Sequence, residues 1–585
     1  MAEPPSPAVE EVKETPGTSW RKLEEHVIPR NRMGIVFFSW MCTIFLVAID
    51  QTVVATALPT IVAELGGGKN YSWVGSAYML VCSSLSPLYG KLSDIVGECF
   101  LSRKPMLYGC ILVFLIGSAL CGAAQSMTWL IVSRALQGVG GGGIFQLVKI
   151  TISDIIPLQE QGKYVGLISA TWGTANVVGP LVGGILTDHI SWRWCFWINL
   201  PTGGLAGALL FFFLNLNPHQ GKPFRDHIRE FDFVGLFVIV IGVVCLLIGL
   251  SSSETTWKTP KTIALLAVGG TLLIIGGINE VFTKRSPIIP PRLFKASLTL
   301  VSVFLHATIF LAGVYLPMYY QVLGASATIS GVKMLPYSLS CCVSSLVSGM
   351  VVTRIGSYRP VMWFGWTVMT LGWGLMIMLD NATNIAAQEI YPLIASLGIG
   401  CLLPTPFIVI QAAMPIKDMA TSTGTFMLFR TLGSTVGMAM GEAVISSVLQ
   451  QKLQDIEGLT IDTSVTALNG NIKLISSISN PTVRNEVIRA YSQSISTIWL
   501  VSTPISAFGL FLVLFIRSYT LKRTIIRSGE KSGDVETGAE QVADANDLPA
   551  MELVSLEKHK PLACFDDATG STDSLDDIGK QRMKV

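Results

Sequence analysis

Asp50 follows the apolar run Gly34–Ile49 and precedes Gln51-Thr-Val-Val-Ala-Thr-Ala-Leu-Pro59, so a lone carboxylate sits well inside a hydrophobic stretch. With 1.5 Å of rise per residue, about nine positions from the far end of a helix correspond to roughly 13 Å of depth. An ionisable group there costs on the order of 2.5–3.5 kcal/mol on insertion scales and marks an ion or proton pathway by default. The chemistry would be uptake and release of a proton. The plainer reading is an Asp that caps or packs through hydrogen bonds and never titrates. Arg134 lies about seven residues into another apolar run, hence roughly 10 Å deep. Gln137 follows it by three residues and could satisfy the guanidinium together with backbone carbonyls.

The elements that must position these residues are membrane helices. Half of the 585 residues are hydrophobic and 14% are charged, and the mean hydropathy is +0.55. That composition is an all-α polytopic membrane protein. Apolar spans fall at roughly 34–59, 72–93, 105–124, 127–149, 162–187, 197–214, 233–250 and 262–282, then at 298–320, 331–353, 360–379, 390–413, 421–447 and 495–516. About fourteen transmembrane helices follow, with both termini on one side. Lys91, Arg103, Lys104, Lys149, Lys163, Arg354, Arg359 and Arg517 are among the cations on that side, and the opposite loops hold few, so it is expected to be cytosolic. The N-terminus lacks a basic start followed by an apolar core, so the first helix is expected to act as an uncleaved anchor.

A near-neutral net charge of +2 gives no support to nucleic-acid binding. The eleven cysteines form no C-x-x-C or Cys/His set, so neither a metal site nor a disulfide framework is expected. Gly138-Val-Gly140-Gly-Gly-Gly143 fits a dinucleotide pattern only formally, because it lies mid-span with no strand before it. No phosphate-binding G-x-x-x-x-G-K-[ST] run or hydrolase signature occurs, which speaks against an enzyme and against an ATP-driven pump with its motor in this chain.

The chain repeats weakly within itself. Gly90–Gly97 before Arg103-Lys104-Pro105 matches Gly349–Gly356 before Tyr358-Arg359-Pro360, and Gly179 and Gly183 echo Gly437 and Gly441. Two homologous halves with a central helix pair are the simplest reading. The expected divisions are a disordered tail 1–33, a six-helix half 34–214, a central pair with linkers 215–297, a second half 298–520 and a disordered tail 521–585. The long outer loop 448–494 is mixed in charge and could hold local helix.

Three runs now resemble the signature motifs of the major facilitator superfamily: Gly90-Lys-Leu-Ser-Asp94-x-x-Gly97, Arg134-x-x-Gln137-Gly138, and Gly173-(x)5-Gly179-Pro180-x-x-Gly183-Gly184. Asp50–Pro59, Trp192-Arg-Trp-Cys-Phe-Trp-Ile-Asn-Leu-Pro201 and Tyr315-Leu-Pro-Met-Tyr-Tyr-Gln321 resemble its fourteen-helix drug:proton antiporter branch, as in fungal multidrug and mycotoxin efflux pumps. The resemblance spans roughly residues 34–520. It implies two six-helix halves around a midplane cavity and proton-coupled efflux of small amphipathic compounds by alternating access, as a monomer in the plasma membrane, with no cofactor. Import or vacuolar carriage of basic amino acids or iron chelates, a vesicle membrane, and a non-transporting sensor are the alternatives.

In such a carrier the first and fourth helices line one cavity. Arg134 would hold the Asp50 carboxylate charged when close and release it to protonation when substrate or rocking parts them; a fixed ion pair is the bland alternative. The glycines and Pro180 of the fifth helix, the antiporter motif by resemblance, would admit close helix approach and a bend. Asp94 with Arg103 and Lys104 would form a gating latch on the cytosolic side. Here Glu98-Cys-Phe-Leu-Ser102 intervenes before the basic pair, which is either a real change in gating or a mis-set exon boundary. Gln137, Tyr315, Tyr319 and Glu442 are candidate cavity residues, with Arg430, Lys333, His306, Phe304, Phe310 and Tyr320 as weaker ones. Asn381 begins a glycosylation sequon on the outer side.

Overall fold

The computed structural model describes residues 26–29, 31–66, 73–99, 103–216, 231–253, 259–283, 285, 289, 293, 296–415, 418–454, 456, 478, 480–521 and 525–527. At some helical positions, Asp94 and Pro180 among them, only the backbone is described.

In chain order the first half comprises α1 (Met33–Leu65), α2 (Trp73–Ser84), α3 (Ser86–Cys99), α4 (Lys104–Gly122), α5 (Met127–Ile155), α6 (Gln161–His189), α7 (Trp194–Trp197) and α8 (Asn199–Phe213). The central pair is α9 (Phe233–Ser253) and α10 (Pro260–Phe282). The second half comprises α11 (Ser297–Phe310), a 3₁₀ turn (Leu311–Tyr315), α12 (Leu316–Val322), α13 (Ala327–Lys333), α14 (Leu335–Ile355), α15 (Arg359–Met376), α16 (Ile385–Cys401), α17 (Thr405–Ala413), α18 (Met419–Gln454) and α19 (Pro481–Leu514).

These pieces compose fourteen spans. Among the described residues, eleven have the length and hydropathy of a membrane crossing. The other three, 73–99, 127–155 and 359–376, are broken, rich in glycine and polar groups, or begun by a charge. Local chemistry sets the ends. Ser126 and Asn384 cap α5 and α16 by accepting from Trp129 N at 3.3 Å and Ala387 N at 2.7 Å. Pro105, Pro260, Pro336, Pro360 and Pro481 open helices where their missing N–H has no intrahelical partner anyway. Gly356 ends α14 in the left-handed conformation, with φ of 69°.

One expectation needs correction. Within the tails 1–33 and 521–585, β1 (His26–Ile28) and β2 (Ile525–Arg527) pair in parallel, with His26 opposite Ile525 and Ile28 opposite Arg527. Each carries two adjacent β-branched residues, Val27-Ile28 and Ile525-Ile526, and α1 already begins at Met33. Residues 1–25 and 528–585 lie outside the described residues. Within the outer segment 448–494, α18 reaches Gln454 and α19 starts at Pro481. Leu449, Leu453, Val487 and Tyr491 are buried there, and Lys452 Nζ donates to Gln493 Oε1 at 2.5 Å.

Glycines decide where helices approach. A Cβ on Gly140 would collide with Phe114 N and lie 2.6 Å from Cys110 O of α4, and one on Gly138 would lie 2.6 Å from Tyr78 O of α2. The glycine run of α5 is thus a seat for two neighbouring helices. The halves meet at the end bearing the chain termini. There Gly90 of α3 would place a Cβ 2.7 Å from Ala420 O of α18, and Gly162 of α6 one 2.5 Å from Gly349 O of α14.

Candidate functional site

Four helices bring the site together. Asp50 from the middle of α1 is fully buried, as are Ser118 (α4), Gln137 (α5) and Asn199 (α8), and Arg134 (α5) is 1% exposed. Arg134 Nη1 donates to Asp50 Oδ2 at 2.5 Å and to Gln137 Oε1 at 2.7 Å, and its Nε donates to Val74 O at 3.1 Å. Gln137 Nε2 donates to Asp50 Oδ1 at 2.8 Å and to Ser118 Oγ at 2.7 Å. Asn199 Nδ2 reaches the same two acceptors, at 2.9 and 2.8 Å. The guanidinium lies against the Tyr78 ring, 4.4 Å from its centroid, with Phe196 at 5.8 Å.

Every neighbour of the Asp50 carboxylate is therefore a donor, one of them cationic. A buried charge survives only when paired and hydrogen-bonded, and here both conditions are met. The carboxylate keeps these partners only as long as the four helices keep this spacing. Pulling α5 or α8 away from α1 would strip donors from the carboxylate.

The motif residues fall as follows. Gly179 and Gly183 of α6 receive α1 two and six residues beyond Asp50: Cβ atoms there would run into Thr52 Oγ1 and Thr56 Oγ1, and the second would lie 2.8 Å from Val53 O. Gly173 instead faces Cys342 of α14, and a Cβ on Gly184 meets nothing within 4 Å. The helix runs unbroken through Pro180, whose side chain is outside the description. The second half repeats the device, with Gly437 of α18 against the Thr308 carbonyl of α11 and Gly441 against the Tyr315 ring.

Gly97 lies in α3, while the Asp94 side chain and residues 100–102 of the insertion lie outside the description. Arg103 is buried, and its Nη1 meets both Asp154 oxygens at 2.7 Å. Lys104 is the first residue of α4. Asn381 is exposed in the turn between α15 and α16, where the Thr383 hydroxyl donates to Asp380 Oδ1 at 2.8 Å.

The cavity candidates largely resolve into packing. Gln137 belongs to the Asp50 network. Tyr319 and Tyr320 are fully buried and donate to Asp380 O at 2.8 Å and Gln388 O at 3.0 Å, and Tyr315 donates to Met438 O at 3.2 Å. These hydroxyls are satisfied by backbone carbonyls inside the second half, so in this conformation the rings are core and not wall. Lys333 donates to Gln388 Oε1 at 3.2 Å, and Glu442 is half-buried on α18. His306 packs against Trp366 and Phe310.

Three partners escaped the sequence reading. Asn199 and Ser118 carry no ionisable group, although Asn199 sits in the quoted Trp192–Pro201 run. Asp154 is separated from Arg103 by α4 and nearly all of α5. At the far end of α1, Glu64 accepts from Trp192 Nε1 at 2.6 Å and Arg193 Nη1 at 2.5 Å, which gives that run's first residues a docking role.

The helical spans among the described residues, with an enclosed acid–base network in the first half, define a polytopic membrane protein, and the family it matches makes it a transporter. The chain belongs to the Major Facilitator Superfamily, whose family model matches residues 40–438. It is 42% identical over 514 residues to an uncharacterized transporter of Schizosaccharomyces pombe, covering 86% of this chain and 85% of that one. It is 35% identical to the efflux pump dotC of Dothistroma septosporum, covering 85% and 86% of the two chains. The crystal structure of the human organic anion transporter MFSD10 superposes with a TM-score of 0.54 over 83% of this chain and 100% of that one. At 12% identity that likeness speaks to the fold alone.

Proposed function

We propose that the protein exports small amphipathic organic compounds in exchange for protons, by alternating access. The observation that carries this reading is Asp50, a fully enclosed carboxylate held by Arg134, Gln137 and Asn199 from α5 and α8. The grip involves three helices of a carrier that must rearrange, so proton occupancy and conformation are coupled through one residue. Export is supported by the seating of Gly179 and Gly183 on α1 beside the acid, and by relatives named as efflux pumps. Each proton moving down 100 mV supplies about 2.3 kcal/mol, enough for roughly a 50-fold solute gradient at one-to-one coupling.

The test is transport in proteoliposomes with an imposed proton gradient. A panel of neutral, acidic and basic amphipathic dyes would serve as reporters, with the most strongly driven used throughout. Wild type is expected to accumulate the dye uphill and to move protons when dye is added. Asp50→Asn is expected to lose both while retaining downhill dye exchange. Uphill accumulation by the variant at the wild-type rate, with an unchanged pH response, would end the proposal.

A further inference from the structure

Lys149 and Arg430 stand apart from the other buried cations. Lys149 is 4% exposed in the inner half of α5. Its ammonium lies 4.4 Å from the Phe145 centroid, 5.6 Å from Phe407 of α17 and 5.5 Å from Phe426 of α18. Arg430 follows Phe426 by one turn, hence on the same face of α18, and keeps part of its surface uncovered. Among the described residues neither has an acid within ion-pair distance, in contrast with Arg103 and Arg134. Among the described side chains, the neighbouring helices offer none within ion-pair distance. α11, α14 and α17 contain no Asp or Glu. Asp154 of α5 is held by Arg103. Glu442 lies twelve residues further along α18, about 18 Å away by helix rise.

Arg430 is within electrostatic reach of Lys149 and also of His306. The His306 ring is 4% exposed, and its Nε2 has no hydrogen-bond partner among the described residues. Two cations without an acid partner among the described residues, Lys149 and Arg430, therefore stand where α5 of one half meets α18 of the other. Aromatic faces alone do not neutralise a buried ammonium; a negative charge arriving between Lys149 and Arg430 would.

We propose that Lys149 and Arg430, supplied by opposite halves, form an anion-binding subsite, so that the transported molecule is an amphipathic organic acid. Its anionic group lies between the two cations, and its apolar frame lies against Phe145, Phe407 and Phe426. This rests on reading the chain as a carrier whose substrate sits between its halves, but it does not depend on proton coupling.

The experiment is equilibrium binding by fluorescence anisotropy to the purified protein in lipid nanodiscs, with no proton gradient. The probes are fluorescein, an anion at neutral pH, and rhodamine 6G, a xanthene cation of similar size. Wild type is expected to bind fluorescein saturably and more tightly than rhodamine 6G. Loss of one charge-assisted contact should weaken fluorescein about tenfold or more in Lys149→Gln and in Arg430→Gln, with rhodamine 6G unweakened. Lys149→Arg should restore most of the affinity, which separates charge from packing. Absence of saturable fluorescein binding by wild type, or equal fluorescein affinity in correctly folded neutral variants, would overturn the proposal. Because the gradient is absent, an uncoupled Asp50 would leave this result untouched.

Discussion

At the scale of single residues, the Asp50 network separates what charge reveals from what it hides. An acid and an arginine inside apolar runs are visible in any reading of the sequence, since their cost in a bilayer demands a reason. Gln137 is visible because it shares a helix face with Arg134. Asn199 and Ser118 are not, since neutral amides and hydroxyls are common in membrane helices, and only the fold brings α4 and α8 against Asp50. Asn199 nevertheless donates to Asp50 Oδ1 at 2.9 Å. Asn199→Leu removes a hydrogen bond to a charged group, worth about 1.5–3 kcal/mol. The expected outcome is a lower melting temperature in detergent and gradient-driven transport reduced more than dye binding. An unchanged ratio of transport to binding would remove Asn199 from the coupling network.

Among helices, small residues set the distances, and their roles within one motif differ. Gly183 has Thr56 Oγ1 and Val53 O against its missing Cβ, whereas Gly184 has open space. Gly183→Ala forces α1 and α6 apart and is expected to cost about 1–3 kcal/mol by overpacking. Gly184→Ala is expected to be neutral or to gain up to about 1 kcal/mol from helix propensity. Thermal unfolding of the two purified variants checks the pair, and similar losses would contradict the packing described for α6. The sequence showed that these glycines form a motif but not which of them a neighbour touches, because that depends on the rotation of α6 about its axis. Helix interruptions were half legible. Pro87, Pro317 and Pro404 sit at or just after the breaks between α2 and α3, at the start of α12, and between α16 and α17, yet a hydropathy window runs straight through them. The tyrosines of 315–320 stay ambiguous in sequence for a related reason: aromatic residues in a membrane span suit a cavity wall and a protein core equally well, and here their hydroxyls reach backbone carbonyls at 2.8–3.2 Å.

For the molecule as a whole, the halves press together at the end bearing the chain termini, through Gly90 on Ala420 and Gly162 on Gly349. Access to the midplane from that end requires these helices to part. The small strand pair spans the same divide, since β1 leads into α1 and β2 follows α19. Ile526→Pro deletes a backbone donor from this ladder, where each hydrogen bond contributes about 0.5–1.5 kcal/mol. The variant is expected to open that end more often, read as faster maleimide labelling of an added cysteine at Ala420; unaltered labelling would show that the strands ride with one half. The two strands also lie on opposite sides of the helices in the order of synthesis. His26–Ile28 is made before α1 and waits for Ile525–Arg527, which is made after α19. The helices between them must already be made, and an even number threaded, before those six residues can meet on one side, so their pairing reports on insertion of the helical part of the chain.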